Sequence, residues 1–343
     1  MPPDLASPPW RRCEFTHTHT IAQEATLGSD HASAYGLSRS GLQDGNCGPD
    51  PPVCMSYDSD CPDESRKSAT AAAHLALWRR SGRLYSVGRR GHAVTGTLTW
   101  WGHSTSSWRD GGTTVLFDPV LTARVGHLRR VRGTVPPSQA ARADIVLISH
   151  LHADHTHLPS LRLVPAPAVL IAPAGSRRLL KPISDRGITL REAEPGDVFE
   201  VSGLQVRVLA ADHDGRRLPG SPHRGPALGY LVEGSRRCWY PGDTGPKLAW
   251  EEVAQPDIAL LPVGGWGPSL GRGHLNAQQA AHVVRRTQPV HAVPVHWGTW
   301  WPIGLPERLE LIDLPAPAFA DHVARLVPTT EVHLLGHGQS ITV

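Results

Sequence analysis

Four short apolar segments of this chain each end in a histidine or an aspartate. The segments are "DIVLISH" (144–150), "LQVRVLAADH" (204–213), "RCWYPGD" (237–243) and "HAVPVH" (291–296). Their apolar and β-branched residues, bounded by turn residues, predict β-strands. Strand ends along one edge of a sheet share that edge in space, and loops held there usually carry function. The pattern therefore predicts a fold that brings His150, His213, Asp243 and His296 together.

The first segment continues into "SHLHADHTH" (149–157), which adds further candidate metal ligands. Imidazole and carboxylate groups suit zinc, and also manganese or iron. The complete set has seven members: His150, His152, Asp154, His155, His213, Asp243 and His296. Seven ligands are too many for one tetrahedral zinc, but they suit two metal ions that share a carboxylate. We expect one ion on His150, His152 and His213, a second on Asp154, His155 and His296, and Asp243 as the bridge.

Other segments from residue 97 onward alternate between short strands and helices. Further strands are predicted at 97–102, 113–119, 227–234 and 257–265, and two more within 331–343. The residues "GSRR" (234–237) form a hairpin-like turn. Helices are predicted at 276–287, with Asn276 as the N-cap, and near 316–326. Runs of strands with helices between them predict one layered α/β domain over residues 96–343.

The first 95 residues differ in composition from the rest of the chain. Residues 1–68 are rich in Pro, Gly, Ser and Asp and have no sustained apolar pattern. We therefore expect a largely disordered, poorly ordered N-terminal extension over 1–95, with one short helix near 69–80. Cys47, Cys54 and Cys61 are seven residues apart, whereas zinc modules use tighter pairs, which argues against a structural zinc there.

Charge and targeting patterns limit the partners and the compartment. The net charge is only +3 and the sequence has no dense basic run, so no nucleic-acid partner is expected. The first residues lack an apolar signal-peptide core, and no run of 18 apolar residues exists, so neither a signal peptide nor a transmembrane helix is expected. An odd number of cysteines suits a reducing compartment. These patterns predict a cytoplasmic protein.

The order of the motifs resembles the metallo-β-lactamase-fold hydrolase superfamily. The segment "HLHADH" (150–155) matches its H-x-H-x-D-H signature, and His213, Asp243 and His296 stand where its later ligands occur. Other segments are similar to the branch with N-acyl-phosphatidylethanolamine phospholipase D and ascorbate-6-phosphate lactonase: "LTWWGHST" (98–105), "LFDPVL" (116–121), "YPGDTG" (240–245), "GHLNAQQA" (273–280), "VHWGTW" (295–300) and "LLGHGQS" (334–340). The resemblance implies a four-layer αββα sandwich with a dinuclear site at one edge.

This chain departs from three other branches of that superfamily. Class B β-lactamases usually carry Cys or Ser where this chain has Asp243, so the aspartate favours a bridged dinuclear hydrolase. Relatives that process tRNA 3′ ends carry a protruding arm rich in Gly and basic residues, and this sequence has no such insertion. Flavodiiron-like redox proteins usually replace a ligand histidine with a carboxylate and need a flavin domain, and neither feature is visible.

The resemblance implies a dinuclear zinc-dependent hydrolase, with manganese or iron as alternative metals. Two such ions hold a bridging hydroxide at neutral pH and polarise a carbonyl or phosphoryl oxygen. The first interpretation is a phosphodiesterase of the phospholipase D type. A lactonase or another carboxylic or phosphate ester hydrolase is the alternative, and a non-hydrolytic di-iron redox protein is the third. The expected substrate is a small-molecule or phospholipid ester, which leaves peripheral membrane contact and a homodimer open.

Residues beside the ligands carry further predictions. Asp154 can orient the hydroxide as well as bind metal. His274 either contacts the substrate phosphate, protonates the leaving group, caps the following helix, or supports a ligand without binding metal itself. His103 is expected to have a structural or supporting role, and Asp118 to orient a ligand histidine. His157 is predicted to be a surface residue beside the ligands.

Aromatic residues and the remaining histidines are less specific. Trp266, Trp297, Trp300 and Trp301 lie in the motif loops, where they either line an apolar channel or pack the core. The Gly/Pro-rich loop 214–226, which contains His223, is expected at the rim of the pocket. His291, His333 and His337 are predicted to be core or turn histidines rather than ligands.

Overall fold

Short β-strands are the most numerous elements of the described region. The computed structural model describes residues 95–247 and 253–343, and the elements below are those of that region. Its first half contains β1 (Thr97–Gly102), β2 (Thr105–Asp110), β3 (Thr113–Phe117), β4 (Arg124–Val125), β5 (Leu128–Arg130), β6 (Ile145–Leu147), β7 (Val169–Pro173) and β8 (Thr189–Ala193). Its second half contains β9 (Val198–Val201), β10 (Leu204–Ala210), β11 (Leu228–Glu233), β12 (Arg237–Tyr240), β13 (Ile258–Pro262), β14 (His291–Val295), β15 (Trp300–Pro302), β16 (Glu331–Val332) and β17 (Ser340–Thr342). The helices are α1 (Leu158–Leu161), α2 (Arg177–Ser184), α3 (Ala277–Thr287), α4 (Leu309–Ile312) and α5 (Pro315–Leu326), with a 3₁₀ turn at Ser138–Ala141.

The strands form two large sheets and one small sheet. The first large sheet has the order β17-β1-β2-β3-β6-β7-β8, and the second has the order β16-β14-β13-β12-β11-β10-β9. The small sheet has the order β15-β5-β4. The predicted hairpin at 234–237 joins β11 to β12, which pair in antiparallel register from Glu233 and Arg237 onward.

Helices cover one face of each large sheet, and this arrangement gives four layers. On the first sheet, Leu180 and Ile183 of α2 pack with Leu116 and Leu170 of the strands. On the second sheet, α3 and α5 pack against strands β11 to β13, with Phe319 in the shared apolar cluster. The remaining faces of the two sheets meet in the main core. The expected four-layer αββα sandwich is confirmed.

Side-chain patterns in the strands explain this packing. In β1, Leu98 and Trp100 are buried, whereas Thr97 and Thr99 alternate with them on the other face. In β13, "IALLP", every residue is buried, because the strand has parallel neighbours on both sides and its sheet is covered on both faces. The alternating pattern thus marks a strand with one buried face, and the continuous pattern marks a strand that is buried on both faces.

The helix that follows the His274 segment begins where the sequence predicts. The side chain of Asn276 accepts a hydrogen bond from the Gln279 backbone, and the Gln279 side chain accepts one from the Asn276 backbone, at 2.8 and 3.0 Å. This capping box satisfies two backbone N–H groups at the start of α3. The capping box therefore fixes the position of Asn276, two residues after His274 in the same loop. The second predicted helix, 316–326, corresponds to α5.

The predicted ligands lie beyond the strands rather than within them. Strands β6, β10 and β12 each end three residues before His150, His213 and Asp243 respectively. Strand β14 ends directly before His296. The ligand residues therefore belong to the loops that follow the strands, as the sequence pattern predicted.

Several predictions concern residues 1–94, including the disordered extension, the helix near 69–80 and Cys47, Cys54 and Cys61, and they lie outside the described residues. Cys238 is a free thiol buried in the main core. None of the helices in the described part of the chain combines the length and the apolar character needed to cross a membrane.

Candidate metal centre

The carboxyl ends of six strands bring the site together. In the second sheet, β12, β13 and β14 are parallel, and β10 runs in the same direction because β10 and β12 are both antiparallel to β11. In the first sheet, β3 and β6 are parallel. Five of these ends are followed by a site residue: Asp118 after β3, His150 after β6, His213 after β10, Asp243 after β12 and His296 after β14. Both sheets thus contribute to one site.

Three histidines form the first group of candidate ligands. His150 Nε2 lies 2.8 Å from His152 Nδ1, and His213 Nε2 lies 3.2 Å from the same atom. His150 is buried, and the other two are partly exposed. One metal ion can therefore contact all three nitrogens.

The second group surrounds the carboxylate of Asp243. Its Oδ2 lies 3.1 Å from His155 Nε2, 3.0 Å from His296 Nε2 and 3.8 Å from His150 Nε2. Asp154 Oδ2 lies 3.6 Å from His155 Nε2 and 3.9 Å from His296 Nε2. Asp243 thus lies between the two groups. The structure brings the side chains of all seven predicted ligands close together.

Hydrogen bonds to the remote ring nitrogens orient three of the histidines. His213 Nδ1 donates to the carbonyl of Gly273 at 2.8 Å, and His296 Nδ1 donates to that of Gly264 at 2.7 Å. His155 Nδ1 donates to a carboxylate, described next. Each bond directs the Nε2 lone pair into the site, as is usual for metal-binding histidines.

Asp118 forms a hydrogen bond with the ring nitrogen of His155 that faces away from the candidate centre. Its Oδ2 accepts hydrogen bonds from His155 Nδ1 at 2.6 Å and from the hydroxyls of Ser149 and Tyr240, both at 2.5 Å. Its Oδ1 accepts from the backbone N–H of Ser149 at 2.8 Å. The geometry places Asp118 where the sequence predicted it, behind a ligand histidine.

Two further side chains hold Asp154. Its Oδ2 accepts hydrogen bonds from His103 Nε2 at 3.0 Å and from Trp266 Nε1 at 2.9 Å. The ring of His103 also packs against that of His296, with the centroids 4.0 Å apart. His103 and Trp266 therefore fix the position of one carboxylate ligand, and His103 contacts a second ligand.

The histidines of the first group are neutral. Burial lowers the pKa of His150 well below its ordinary value and also lowers that of His152. Burial lowers the pKa of His213 to about 4. Metal binding requires the neutral imidazole, so these residues are in the right protonation state.

The second group has the charge and the unpaired atoms that suit a cation. His155 Nε2, His296 Nε2 and Asp243 Oδ1 are buried and have no hydrogen-bond partner among the described residues, which is costly unless something else binds them. Burial alone would raise the pKa values of Asp154 and Asp243, but the nearby histidines hold both well below the usual range. Burial opposes a charge on His155, yet Asp243, Asp154 and Asp118 together raise its pKa. A divalent transition-metal ion fits this donor set.

Unusual backbone conformations cluster around the centre. His103, Asp118 and His296 have φ angles of 51°, 40° and 61°, in the left-handed region that non-glycine residues rarely adopt. Gly242, directly before Asp243, has φ 66°, and a Cβ atom there would lie 2.7 Å from the carbonyl oxygen of Leu228. Such conformations cost free energy and persist where the surrounding structure enforces them, often at functional sites.

A cavity of about 640 Å³ opens onto the candidate centre. His152, Asp154, Asp243 and His296 contribute to its lining. Three segments supply most of the wall: the β4–β5 hairpin (125–128), the loop after β10 (217–219) and the loop after β13 (265–271). The Gly/Pro-rich loop therefore forms part of the rim through Arg217, Leu218 and Pro219, whereas His223 is not part of the wall.

The four tryptophans divide between the cavity and the core. Trp266 lines the cavity. Trp297 stacks on Trp100, with the ring centroids 5.2 Å apart, and packs with the core clusters. Trp300 and Trp301 are each only 1% exposed. The channel interpretation thus applies to Trp266, and the core interpretation applies to the other three.

His274 lies beside the second ligand group. Its Nε2 is 3.4 Å from Asp243 Oδ2, and its ring centroid is 4.8 Å from that of His213 and 5.4 Å from that of His296. Burial alone would lower its pKa, but the hydrogen bond to Asp243 and the charges of Asp243 and Asp154 together raise it. Asn276 caps α3, so the capping interpretation of His274 is wrong.

The prediction that His157 lies at the surface is also wrong. Its exposed fraction is 7%, and its Nδ1 is 2.7 Å from the hydroxyl of Ser160. Burial lowers its pKa to about 4. It precedes α1 and belongs to neither ligand group, so it is a buried residue beside the segment that carries the candidate ligands.

Three supporting residues were not predicted from the sequence. Ser149 and Tyr240 hydrogen-bond to Asp118, and both stand in motifs that were recognised for their ligands. Arg217 Nη1 donates to the carbonyls of Leu151 and Thr156 at 2.9 and 2.5 Å. Its place in the Gly/Pro-rich loop was the only indication that it lies near the site.

Comparison with known families agrees with this geometry. The sequence profile described as Beta-lactamase superfamily domain matches residues 113–297, more than half of the chain. The chain belongs to the metallo-β-lactamase superfamily. A UPF0173 protein of Pyrococcus furiosus is 30% identical to the chain over 204 residues, which cover 59% of this chain and 84% of that protein. A UPF0173 metal-dependent hydrolase of Thermoplasma acidophilum is 28% identical over 209 residues, with the same coverage of 59% and 84%.

A solved structure supports the metallo-β-lactamase fold. Igni18, a metallo hydrolase from Ignicoccus hospitalis, superposes with a TM-score of 0.54 at 20% identity. The match covers 73% of this chain and 98% of that chain. At this identity the likeness concerns the fold, and the chemistry must be argued from the residues of the site.

Proposed function

We propose that this chain is a dinuclear zinc-dependent phosphodiesterase of the phospholipase D type. Its superfamily and its named relatives make it a metal-dependent hydrolase. The observation that carries the finer proposal is the position of Asp243, whose Oδ2 lies 3.0–3.8 Å from ligand nitrogens of both groups. A carboxylate that lies between two ligand groups in this way can bridge two adjacent metal ions.

The seven ligands divide between the two ions. His150, His152 and His213 would hold one, Asp154, His155 and His296 would hold the other, and Asp243 would contact both. Bound there, zinc lowers the pKa of water to about 7 and offsets the negative charge that develops in the transition state. The cavity admits substrate to this point from one side.

The side chains around the ligands position the substrate and the proton. Asp154, held by His103 and Trp266, presents its carboxylate to the cavity and orients the attacking water. His274 lies on the cavity wall beside Asp243, where it donates a proton to the leaving oxygen. Arg217 attracts an anionic group of the substrate to the same wall.

The cavity wall favours a substrate with one negative charge and an apolar substituent. Its apolar lining includes Val125, Leu128, Leu218, Trp266 and Leu270. Arg217 provides the permanent positive charge of the wall. A phosphodiester carries one negative charge at phosphorus, whereas a lactone or a carboxylic ester carries none. Of these three substrate classes, only the phosphodiester makes use of Arg217.

A substrate panel tests the proposal. The zinc-loaded full-length protein is assayed on bis-p-nitrophenyl phosphate, an N-acyl phospholipid, p-nitrophenyl butyrate and a lactone, with and without a chelator. We expect chelator-sensitive hydrolysis of the phosphodiesters and about two zinc ions per chain by elemental analysis. A higher kcat/KM for the butyrate or the lactone would favour the ester alternative. Two iron ions without hydrolysis would favour the redox protein.

The same assay examines His274 as the proton donor. His274→Gln should slow cleavage of an alkyl phosphodiester by about 10²-fold or more, because a poor leaving group needs a proton. Cleavage of bis-p-nitrophenyl phosphate should fall much less, because p-nitrophenolate leaves unprotonated. His127→Gln, on the β4–β5 part of the wall, is the matched control. Equal losses on both substrates would contradict this role.

A further inference from the structure

A second histidine cluster lies at the opposite end of β14 from His296. His291 is the first residue of β14, Glu331 is the first residue of β16, and His333 directly follows β16. The two strands are parallel, and His291 is the register partner of Glu331. Residues 331 and 333 point to the same side because side chains alternate along an extended chain.

The ligand-type atoms of this cluster lie close together. His291 Nδ1 is 3.1 Å from His333 Nε2 and 3.4 Å from a carboxylate oxygen of Glu331. His333 Nε2 is 3.9 Å from the other oxygen of Glu331. Zinc–nitrogen bonds of about 2.0–2.1 Å in tetrahedral geometry separate neighbouring ligand atoms by about 3.3–3.4 Å. The observed distances therefore suit one small metal ion.

Exposure and charge also suit a metal site. The side chains of His291 and His333 are 21% and 17% exposed, so they are largely held in place. Glu331 is 67% exposed and can turn its carboxylate toward them. Burial lowers the pKa of His333, which favours the neutral imidazole that binds metal.

We propose that His291, Glu331 and His333 bind a divalent transition-metal ion, separate from the candidate centre. Two imidazoles and one carboxylate are a donor set that zinc and similar ions accept, with water in the remaining position. The sequence had predicted both histidines to be core or turn residues. Because roughly 16 Å of extended strand separates residue 291 from residue 296, this site is independent of the proposed hydrolase chemistry.

Such an ion would link the short edge strand β16 of the second sheet to its neighbour β14. Strand β16 has two residues and lies at the end of the sheet order. Its backbone is held through hydrogen bonds from Glu331 N to Val290 O and from His333 N to Ala292 O, both 2.9 Å long. The chain then continues to β17, at the edge of the first sheet. A metal ion bound between β14 and β16 would stabilise β16, from which the chain passes to the first sheet.

Zinc binding to variants of the full-length protein tests the site. The wild-type protein, His333→Gln, Glu331→Gln and the control His322→Gln on α5 are equilibrated with buffered free zinc. Bound zinc is measured by elemental analysis, and Tm by calorimetry. We expect one zinc more per chain in the wild type and the control than in the other two variants. At a free zinc concentration about 100 times the dissociation constant of the proposed site, zinc should raise the Tm of the wild type and the control by about 5 °C more than that of the other two variants.

The outcomes separate the proposal from its alternatives. Equal zinc content and equal Tm shifts in all four proteins would overturn it and leave an ordinary hydrogen bond between two histidines. If His333→Gln fails to fold, Glu331→Gln decides the question, because residue 331 is exposed and its replacement removes only the carboxylate charge. A loss of the extra zinc with unchanged hydrolysis would support the site and its independence from the candidate centre.

Discussion

The carboxylate of Asp118 accepts four hydrogen bonds in a fully buried position. Two come from Ser149, one from Tyr240 and one from the ligand His155. Asp118 follows β3 in the first sheet, whereas Tyr240 ends β12 in the second, so this carboxylate also joins the two sheets below the candidate centre. A hydrogen-bonded carboxylate behind a ligand raises the basicity of that ligand and fixes its orientation.

Asp118→Asn should weaken metal binding. An amide has one oxygen and one NH₂ group, so at least one of the four donors would meet another donor. Loss of such a supporting partner typically lowers metal affinity by about 10- to 100-fold. Competition with a chromophoric chelator measures this change directly.

Asp110→Asn is the matched control for that experiment. Asp110 is 2% exposed and accepts hydrogen bonds from the Ser235 hydroxyl at 2.5 Å and the Arg236 backbone at 3.2 Å. It lies at the other end of β2 from His103 and the centre. Its replacement should cost stability without changing metal affinity. The same loss of affinity in both variants would show that Asp118 acts through general stability alone.

The loop between β10 and β11 is tied to the ligand loop by one side chain. Arg217 donates from Nη1 to the backbone carbonyls of Leu151 and Thr156. Those carbonyls belong to the segment that carries His152, Asp154 and His155. Arg217 therefore connects the wall of the cavity to the segment 151–156, which carries three of the candidate ligands.

Arg217→Ala should lower the free energy of unfolding by about 1–3 kcal/mol, because it leaves two partly buried carbonyls without their donor. Urea unfolding measures the change. Arg216→Ala is the control, since the neighbouring Arg216 forms a surface ion pair with Asp214 that contributes little. Equal stability of the two variants would contradict the proposed connection.

Elements with strong local patterns could be predicted from the sequence, and elements defined by tertiary contacts could not. The apolar runs that became β6, β10 and β13 were predicted, and the capping residue Asn276 marked α3. Strand β2, "TSSWRD", has few apolar residues, and β4, β5 and β15 have only two or three residues each. Such short strands form because neighbouring elements hold them, which no local pattern records.

In the candidate site too, some features follow from local sequence patterns and others depend on tertiary contacts. The spacing of the motifs predicted which side chains lie together, because residues that follow strands along one edge of a sheet share that edge in space. The hydrogen bond from Trp266 to Asp154 and the tie made by Arg217 depend on how loops from different strands lie against one another. Neither contact has a spacing or composition that would identify it in advance.

At the scale of the whole molecule, His337 lies in the connection between the two sheet edges. Its ring packs against Trp100, with the centroids 4.5 Å apart, and its Nε2 is 3.1 Å from the hydroxyl of Thr299. Burial, with a smaller contribution from Arg130, lowers its pKa to about 4. The folded domain therefore holds this histidine neutral.

His337→Gln should make the domain less sensitive to acid. An unfolded histidine has a pKa of about 6.5, so between about pH 6.5 and pH 4 the unfolded chain binds a proton that the folded chain does not. Stability attributable to His337 is thus complete above that window and falls as the pH falls through it. The decrease in Tm between pH 7.5 and pH 5 should be smaller in the variant than in the wild type or in His322→Gln. The same decrease in all three would contradict the prediction.

The parallel arrangement of β12, β13 and β14 has a consequence for the order in which the protein matures. Each parallel pair requires a long crossover, so the ligand set runs from residue 150 to residue 296 and closes only after β14 joins its sheet. Contacts so distant along the chain form late, because loop-closure entropy opposes them first. A nascent chain that has emerged only as far as β12 carries the histidine-rich loop without the residue that completes the second ligand group. The second candidate ligand group is therefore complete only after nearly the whole domain has folded, whereas the three histidines of the first group are present once β10 has emerged.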